Sequence, residues 1–273
     1  MVLFPNCKIN LGLHITRKRD DGYHDLETVF YPIGIKDVLE IIHSQDPKET
    51  CLFSSTGLAI QGNSTDNLCV KAYHLLKKDF PQLPPIQMHL HKSIPMGAGL
   101  GGGSADGAFA LKLLNQLFHL EISEYQLIQY ALELGSDCPF FILNQACIGK
   151  GRGELLEKIS LDLSQYQFLI VNPGIHIGTG WAFSQITPKP VEHSLNSIIK
   201  EPIQTWKNYL SNDFEAPVMN AYPEIAKMKQ ALYESGALYA SMSGSGSTLF
   251  GIFEKGLAPK FSFPSHYMTA LVD

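Results

Sequence analysis

The sequence predicts an α+β protein built as two lobes. Segments of strand and helix character are mixed without a strict βαβ rhythm, which argues against a single parallel sheet. A chain of 273 residues with 45% hydrophobic content can bury one large core or two modest ones. The segment GKGRGELLEKI (149–159) is glycine-rich and charged, which suits a boundary between lobes. The expected division is into residues 1–155 and 156–273.

CKINLGLHIT (7–16) is rich in β-branched and apolar residues and ends at the charged turn RKRDDGYH (17–24), so it reads as a strand. TVFYPIGIKDVLEIIHS (28–44) follows as a second strand, a Pro-Ile-Gly break and a third strand. STDNLCVKAYHLLKKDF (64–80) places Leu68, Ala72, Leu75 and Leu76 on one helical stripe, with Ser64 or Thr65 as N-cap. In IQMHLHKSIP (86–95), Ile86, Met88 and Leu90 alternate with Gln87, His89 and His91, the pattern of a half-buried strand. The two histidines fall on its wetter face, with no third metal ligand in view. SADGAFALKLLNQLFHL (104–120) carries Ala110, Leu113, Leu114, Leu117 and Phe118 at helical spacing. SEYQLIQYALELGSDCPFF (123–141) opens with Ser123 and Gln126 in capping-box spacing and stops at Gly135. The remainder reads as a strand in YQFLIVNPGI (166–175), a variable helical region, a helix in YPEIAKMKQALYES (222–235) and a strand pair in YASMSGSGSTLFGIF (239–253).

Composition narrows the function. A formal charge of −5 argues against a nucleic-acid partner. No apolar run is long enough to span a bilayer, and the N-terminus lacks a signal peptide's order of segments. Five cysteines, none in C-x-x-C spacing, argue against structural zinc and a disulfide framework. They fit buried thiols in a reducing compartment. A cytoplasmic protein with no nucleic-acid and no membrane partner is expected, as a monomer or weak homodimer.

The stretch IPMGAGLGGGSADGA (94–108) carries the chemistry. Glycine admits positive φ and removes the Cβ that holds a ligand away. Such a loop can turn consecutive N–H groups towards one anion, and the helix expected from Ser104 adds its N-terminal amides and dipole. Strand, loop and helix together read as a phosphate site. GAGLGG satisfies G-x-G-x-x-G, but the acidic residue that ends a dinucleotide unit's second strand has no counterpart, because a helix and the turn at 121–123 occupy that region. G-x-x-x-x-G-K-[ST] fails because no lysine follows the glycines. A flexible linker fits poorly with Ile94, Met96 and Leu100. Read locally, Asp137 in LGSDCPFF is a cap or turn aspartate, Lys8 a solvent-facing strand lysine, and Tyr23 and His24 turn residues.

Three motifs in order resemble a known family. PMGAGLGGGSADGA (95–108) is similar to P-x-x-x-G-L-G-S-S-A-A, the second motif of the GHMP kinases, the galactokinase, homoserine, mevalonate and phosphomevalonate kinase superfamily. PNCKINLGLHITRKRDDGYHDLETVF (5–30) resembles P-A-K-[IL]-N-L-x-L…D-G-Y-H-x-[LI]-x-[ST], the signature of the branch acting on cytidine diphosphate-linked methylerythritol. SMSGSGSTLFGIF (241–253) resembles the superfamily's third, C-terminal glycine motif.

The resemblance implies the two-lobed GHMP kinase fold, with a ribosomal protein S5 domain 2-like N-terminal lobe and a ferredoxin-like C-terminal lobe. It implies ATP-dependent phosphorylation of that substrate's 2-hydroxyl in non-mevalonate isoprenoid synthesis, with ATP and Mg2+ as cofactors. Asp137 matches the family's catalytic aspartate in L-G-[AS]-D-x-P-F-F, which accepts the attacking hydroxyl's proton. Lys8 matches the lysine that approaches that hydroxyl and keeps the aspartate ionised, with Asn10 as support and substrate contact. Tyr23 would stack on the cytosine and His24 hydrogen-bond it, with Phe183 or Trp181 on the other face and Thr179 nearby. Pro95, Gly97, Gly99, Gly101, Gly102, Gly103 and Ser104 would line the triphosphate. Asn67, Leu68 and Lys92 fall near the adenine, and Ser243, Gly244, Ser245 and Gly246 buttress the site.

Some positions depart from the pattern. Ala105 and Gly107 stand where Ser and Ala are usual, and Gly107 in a first helical turn costs roughly 0.5–1 kcal/mol relative to Ala. The wider superfamily has serines, one a magnesium ligand, at Gly102 and Gly103, so no metal ligand is assigned. The competing readings are another GHMP kinase of homoserine or mevalonate type, a nucleotide-binding regulator without turnover, and a dinucleotide oxidoreductase.

Overall fold

Among the described residues (1–44, 50–191, 193–257 and 261–273 of a computed structural model), five strands precede the first α-helix. They are β1 (Val2–Leu3), β2 (Asn6–Lys18), β3 (His24–Lys36), β4 (Val38–His43) and β5 (Cys51–Gly57). Then come α1 (Leu68–Asp79), β6 (Ile86–Lys92), α2 (Gly102–Leu117), α3 (Glu124–Leu134), α4 (Cys138–Leu143), β7 (Cys147–Lys150), β8 (Leu155–Lys158) and β9 (Tyr166–Asn172). The chain ends with α5 (Thr179–Ser184), α6 (Leu195–Ile198), α7 (Ile203–Trp206), α8 (Glu215–Ala221), α9 (Pro223–Glu234), β10 (Tyr239–Met242), β11 (Leu249–Glu254) and β12 (Met268–Val272). The class is α+β, as expected. No helix among these residues is long and apolar enough to cross a membrane.

The elements gather into two compact units. One comprises Met1–Cys7, Ile35–Met96 and Gly101–Gln145, the other Lys8–Gly34, Gly97–Leu100 and Ala146–Asp273. Each unit is discontinuous in sequence, whereas the expected division at residue 155 is a single cut.

In the first unit a sheet of order β1-β4-β6-β5 packs with α1 and α2, and α3 and α4 pack on those helices. β4 runs antiparallel to β1 and β6, and β5 runs parallel to β6. The period-two pattern of β6 buries Ile86, Met88 and Leu90, and His89 and His91 bond Ser54 and Thr56 on the wetter face. β5, an edge strand exposed along most of its length, has too weak an alternation to be read from sequence. The N-cap of α1 is Asn67, whose side chain accepts from Cys69 N at 2.9 Å. Ser64 and Thr65 lie instead in a short 3-10 turn before it. α2 starts at Gly102, two residues before the expected Ser104. A Cβ on Gly107 would lie 2.8 Å from Leu68 Cβ, so this glycine lets α2 approach α1 and its propensity cost is offset by packing. The Ser123–Gln126 capping box is present.

The second unit holds two sheets, β2-β3-β7-β8 and β10-β11-β9-β12. The latter is antiparallel throughout, and α9 packs on it. Its core joins Leu13 and Ile15 of β2 to Leu169 and Val171 of β9, Ile225, Met228 and Leu232 of α9, and Met242 and Leu249. The Pro-Ile-Gly break does not occur, since β3 runs on to Lys36. Pairing with β7 stops at Phe30, so Pro32 lies beyond that ladder and its missing N–H costs no bond there.

The Asn67 cap gives a stability test. Asn67→Ala should cost about 1 kcal/mol by chemical denaturation, and Asn67→Ser should recover most of it.

Candidate active site

Before α2 the backbone is left-handed at Gly99 and Gly101, with φ of +80° and +70°, a region that residues bearing a Cβ rarely adopt. In the second unit the carbonyls of this loop are taken by protein. Ala98 O accepts from Thr248 N at 3.3 Å and Leu100 O from Lys8 N at 3.0 Å. Gly99 O accepts from Lys8 Nζ at 3.1 Å and Ser243 Oγ at 2.7 Å. In a trans peptide the carbonyl and the following N–H point in opposite directions. The amides of Gly99, Leu100 and Gly101 therefore face away from those partners. A Cβ on Gly99 would lie 1.9 Å from Ser243 O, so only glycine fits.

Lys8 is 3% exposed. Its Nζ donates to Asn10 Oδ1 at 2.6 Å and lies 5.3 Å from the centre of the Phe30 ring. Asn10 Nδ2 donates to Thr28 Oγ1 at 2.9 Å, and the Thr28 hydroxyl donates to Gly12 O at 2.6 Å. A buried ammonium needs such acceptors, and strand parity puts Lys8 and Asn10 on one face of β2. Asn10, expected to touch substrate, uses both ends of its amide internally and so positions Lys8. Thr28, absent from the expected site, occupies the last position of the D-G-Y-H-x-[LI]-x-[ST] pattern, the one signal the sequence offers for it. Asn212 braces the third glycine motif, its Nδ2 donating to Met242 O and Gly244 O, both at 2.8 Å.

In the first unit Gly101 is the N-cap of α2, and Ser104 lies in its first turn. The Ser104 hydroxyl bonds the Cys138 thiol, which burial pushes up to about 12. Asp137 sits at the N-cap position of α4 without making a capping hydrogen bond. The local reading as a cap or turn residue thus holds for its position, and only the capping side-chain bond is missing. Asn67 and Leu68, both half-buried, open α1.

Lys92 is a correction. Expected beside the adenine, its ammonium is fully buried with Asp37 and Asp106, bonding Asp37 Oδ2 and, at 2.7 Å, Asp106 Oδ2. Asp37 Oδ1 also accepts from Ser93 N at 2.6 Å and Ile94 N at 2.9 Å. Burial pushes the Asp106 carboxyl up to about 8 despite the pull of Lys92.

Of the residues expected to recognise the base, within the second unit, Tyr23 is 56% exposed and the Arg152 guanidinium lies 4.9 Å from its ring centre. His24 stacks on Phe183, with centroids 4.9 Å apart and planes inclined by 21°. Trp181 meets Tyr222 edge-on instead. Thr179 Oγ1 lies 3.4 Å from Ser245 Oγ. Arg152, in the glycine-rich charged segment, carries no individual sequence signal.

A Cβ on Gly102 would lie 2.8 Å from Ile94 Cγ2, so a serine there would crowd that side chain. Among the described residues no three His, Cys, Asp or Glu side chains gather as metal ligands.

Sequence models of the GHMP kinases N-terminal domain and the GHMP kinases C-terminal domain match residues 67–145 and 195–262. The chain belongs to the GHMP kinases. A solved mevalonate kinase from Methanococcus jannaschii shares the fold, with a TM-score of 0.68 at 14% identity over 93% of this chain and 91% of that one. The relatives of higher identity are 4-diphosphocytidyl-2-C-methyl-D-erythritol kinases. That of Bacteroides fragilis is 52% identical over 253 residues, 93% of this chain and 92% of its own, and that of Chlorobium limicola 39% identical over 91% and 87%. A crystal structure of 4-(cytidine 5'-diphospho)-2C-methyl-D-erythritol kinase superposes with a TM-score of 0.80 at 29% identity, covering 92% of this chain and 90% of that one.

Gly99→Ala should lower the melting temperature by several degrees and abolish ATP binding, measured by calorimetry. Gly34→Ala, where an added Cβ meets nothing within 4 Å, should leave both near the parent values.

Proposed function

We propose that the chain transfers the γ-phosphoryl group of ATP to the 2-hydroxyl of 4-diphosphocytidyl-2-C-methyl-D-erythritol. The observation that carries this is the glycine loop, whose carbonyls bond the protein on one side and whose amides are left facing the other. An array of that kind suits phosphate oxygens, and α2 adds its positive end. Phosphoryl transfer asks mainly for positioning and charge stabilisation. The loop would hold the β-phosphate, Lys8 would stabilise charge at the reacting oxygens, and Asp137 would take the hydroxyl proton. Tyr23, His24 and Phe183 offer flat rings and a polar edge for the cytosine, with Thr179 beside them. Binding the cytidine end would orient the distant alcohol.

The donors present are backbone amides and the Ser104 hydroxyl, with glycine at 102 and 103. That chemistry fits magnesium arriving on the triphosphate, where it would neutralise charge, and no protein ligand is assigned to it. None of the five cysteines is in a disulfide, which supports a reducing, cytoplasmic setting.

The decisive assay follows ADP release from ATP and magnesium with the cytidylated methylerythritol as acceptor. Release only with homoserine or mevalonate would overturn the substrate assignment. Asp137→Ala should abolish turnover while ATP affinity stays within about two-fold, and a near-normal rate would remove it as the proton acceptor. Tyr23→Ala should raise KM for the cytidylated substrate about ten-fold or more, with a smaller change in KM for ATP.

A further inference from the structure

We propose that the buried Asp37–Lys92–Asp106 cluster carries one extra proton when nucleotide binds, and that Asp106 is a positioning residue that makes ATP affinity depend on pH. The proposal rests on the reading of the glycine loop and α2 as the ATP site. Two carboxylates face one ammonium, with side-chain exposures of 0%, 3% and 0% for Asp37, Asp106 and Lys92. Fully ionised, the cluster would bury one uncompensated negative charge.

The partners decide where a proton goes. Asp37 receives Lys92 on Oδ2 and two backbone N–H groups on Oδ1, so both its oxygens are taken as acceptors. Asp106 receives Lys92 on Oδ2, while its buried Oδ1 has no hydrogen-bond partner. The proton therefore resides on Asp106, whose carboxyl is pushed up to about 8 by burial.

The other groups facing this point titrate elsewhere. Cys69 of α1, which faces all three members of the cluster, is pushed well up by burial, and Cys51 of β5, near Cys69, to about 11 by the same cause. α3 presents Leu134 to the same helix at Gly107.

Position links the proton to the ligand. Lys92 Nζ lies 3.4 Å from where a Cβ of Gly102 would sit, beneath the first residue of α2. A negative charge released there opposes the positive end of the helix that receives phosphate. The same cluster fixes both ends of the loop, through Ser93 and Ile94 on one side and Asp106 on the other.

The test is calorimetric titration of the full chain with ATP between about pH 6.5 and about pH 9, in two buffers of different ionisation enthalpy. At about pH 8 binding should take up a fraction of a proton, and Kd should rise several-fold towards about pH 9. Asp106→Asn should bind ATP with neither effect. No proton uptake by the parent protein would overturn the proposal, and so would the same uptake by Asp106→Asn. Should that variant fail to fold, the two-buffer comparison on the parent alone decides. Absence of ATP binding at every pH would overturn the ATP-site reading and this proposal with it.

Discussion

The carbonyl oxygen of Gly99 holds two donors at once, the Lys8 ammonium and the Ser243 hydroxyl. This three-way contact joins the first, second and third sequence motifs at one atom. Its geometry forbids any side chain at Gly99, because the Cβ would fall on Ser243 O. It also fixes the Lys8 ammonium, since a buried charge stays where its acceptors are. Asn10 and Thr28 carry the restraint back into β2 and β3, and Asn212 holds the carbonyls of Met242 and Gly244 on the other side. The loop's conformation and the lysine's position are thus one constraint.

The first unit uses charge differently. Lys92 ties the end of β6 to α2 through Asp106, and Asp37 holds the turn that follows the strand. Two carboxylates against one ammonium are more than neutrality requires. Asp106 therefore binds its proton more tightly folded than unfolded, so the folded state holds more protons between about pH 4 and about pH 8. Its contribution to stability is fully present below that window and falls as pH rises through it. This runs opposite to an ion-paired surface carboxylate such as Asp25, whose proton affinity the Arg17 and Arg19 hydrogen bonds lower.

Much of this was legible in the residues. Periodicity placed the strands around β2 and β6 and helices α1, α2, α3 and α9, and the capping box of α3 appeared as spaced. The family motifs supplied Lys8 and Asp137 as candidates. Edge strands escaped because β5 and the C-terminal β12 are short and half-exposed, and their pairing with β6 and β9 is a tertiary fact. Lys92 does carry a sequence signal for burial. It continues the parity of Ile86, Met88 and Leu90, which face the core. A lysine in phase with a buried stripe calls for a buried carboxylate. Asp37 and Asp106, far from it in sequence, could not be picked out without the fold.

The glycines of the loop divide by what surrounds them. Gly99, Gly102 and Gly107 are required by the protein itself, since added Cβ atoms would meet Ser243 O at 1.9 Å, Ile94 Cγ2 at 2.8 Å and Leu68 Cβ at 2.8 Å. At Gly97 the requirement comes from the left-handed backbone, with φ of +63°, rather than from packing, and Gly103 is not required. Their Cβ atoms would meet only His176 at 3.5 Å, an ordinary contact, and the flexible end of Met96 at 3.3 Å. Internal packing gives no reason for the missing side chains at these two positions. Under the proposed nucleotide reading, a Cβ at Gly103 would stand where phosphate oxygens approach the amides. Under that proposal the same run of residues answers to two requirements, and the glycines that close the fold are distinct from Gly103, which would leave room for the nucleotide.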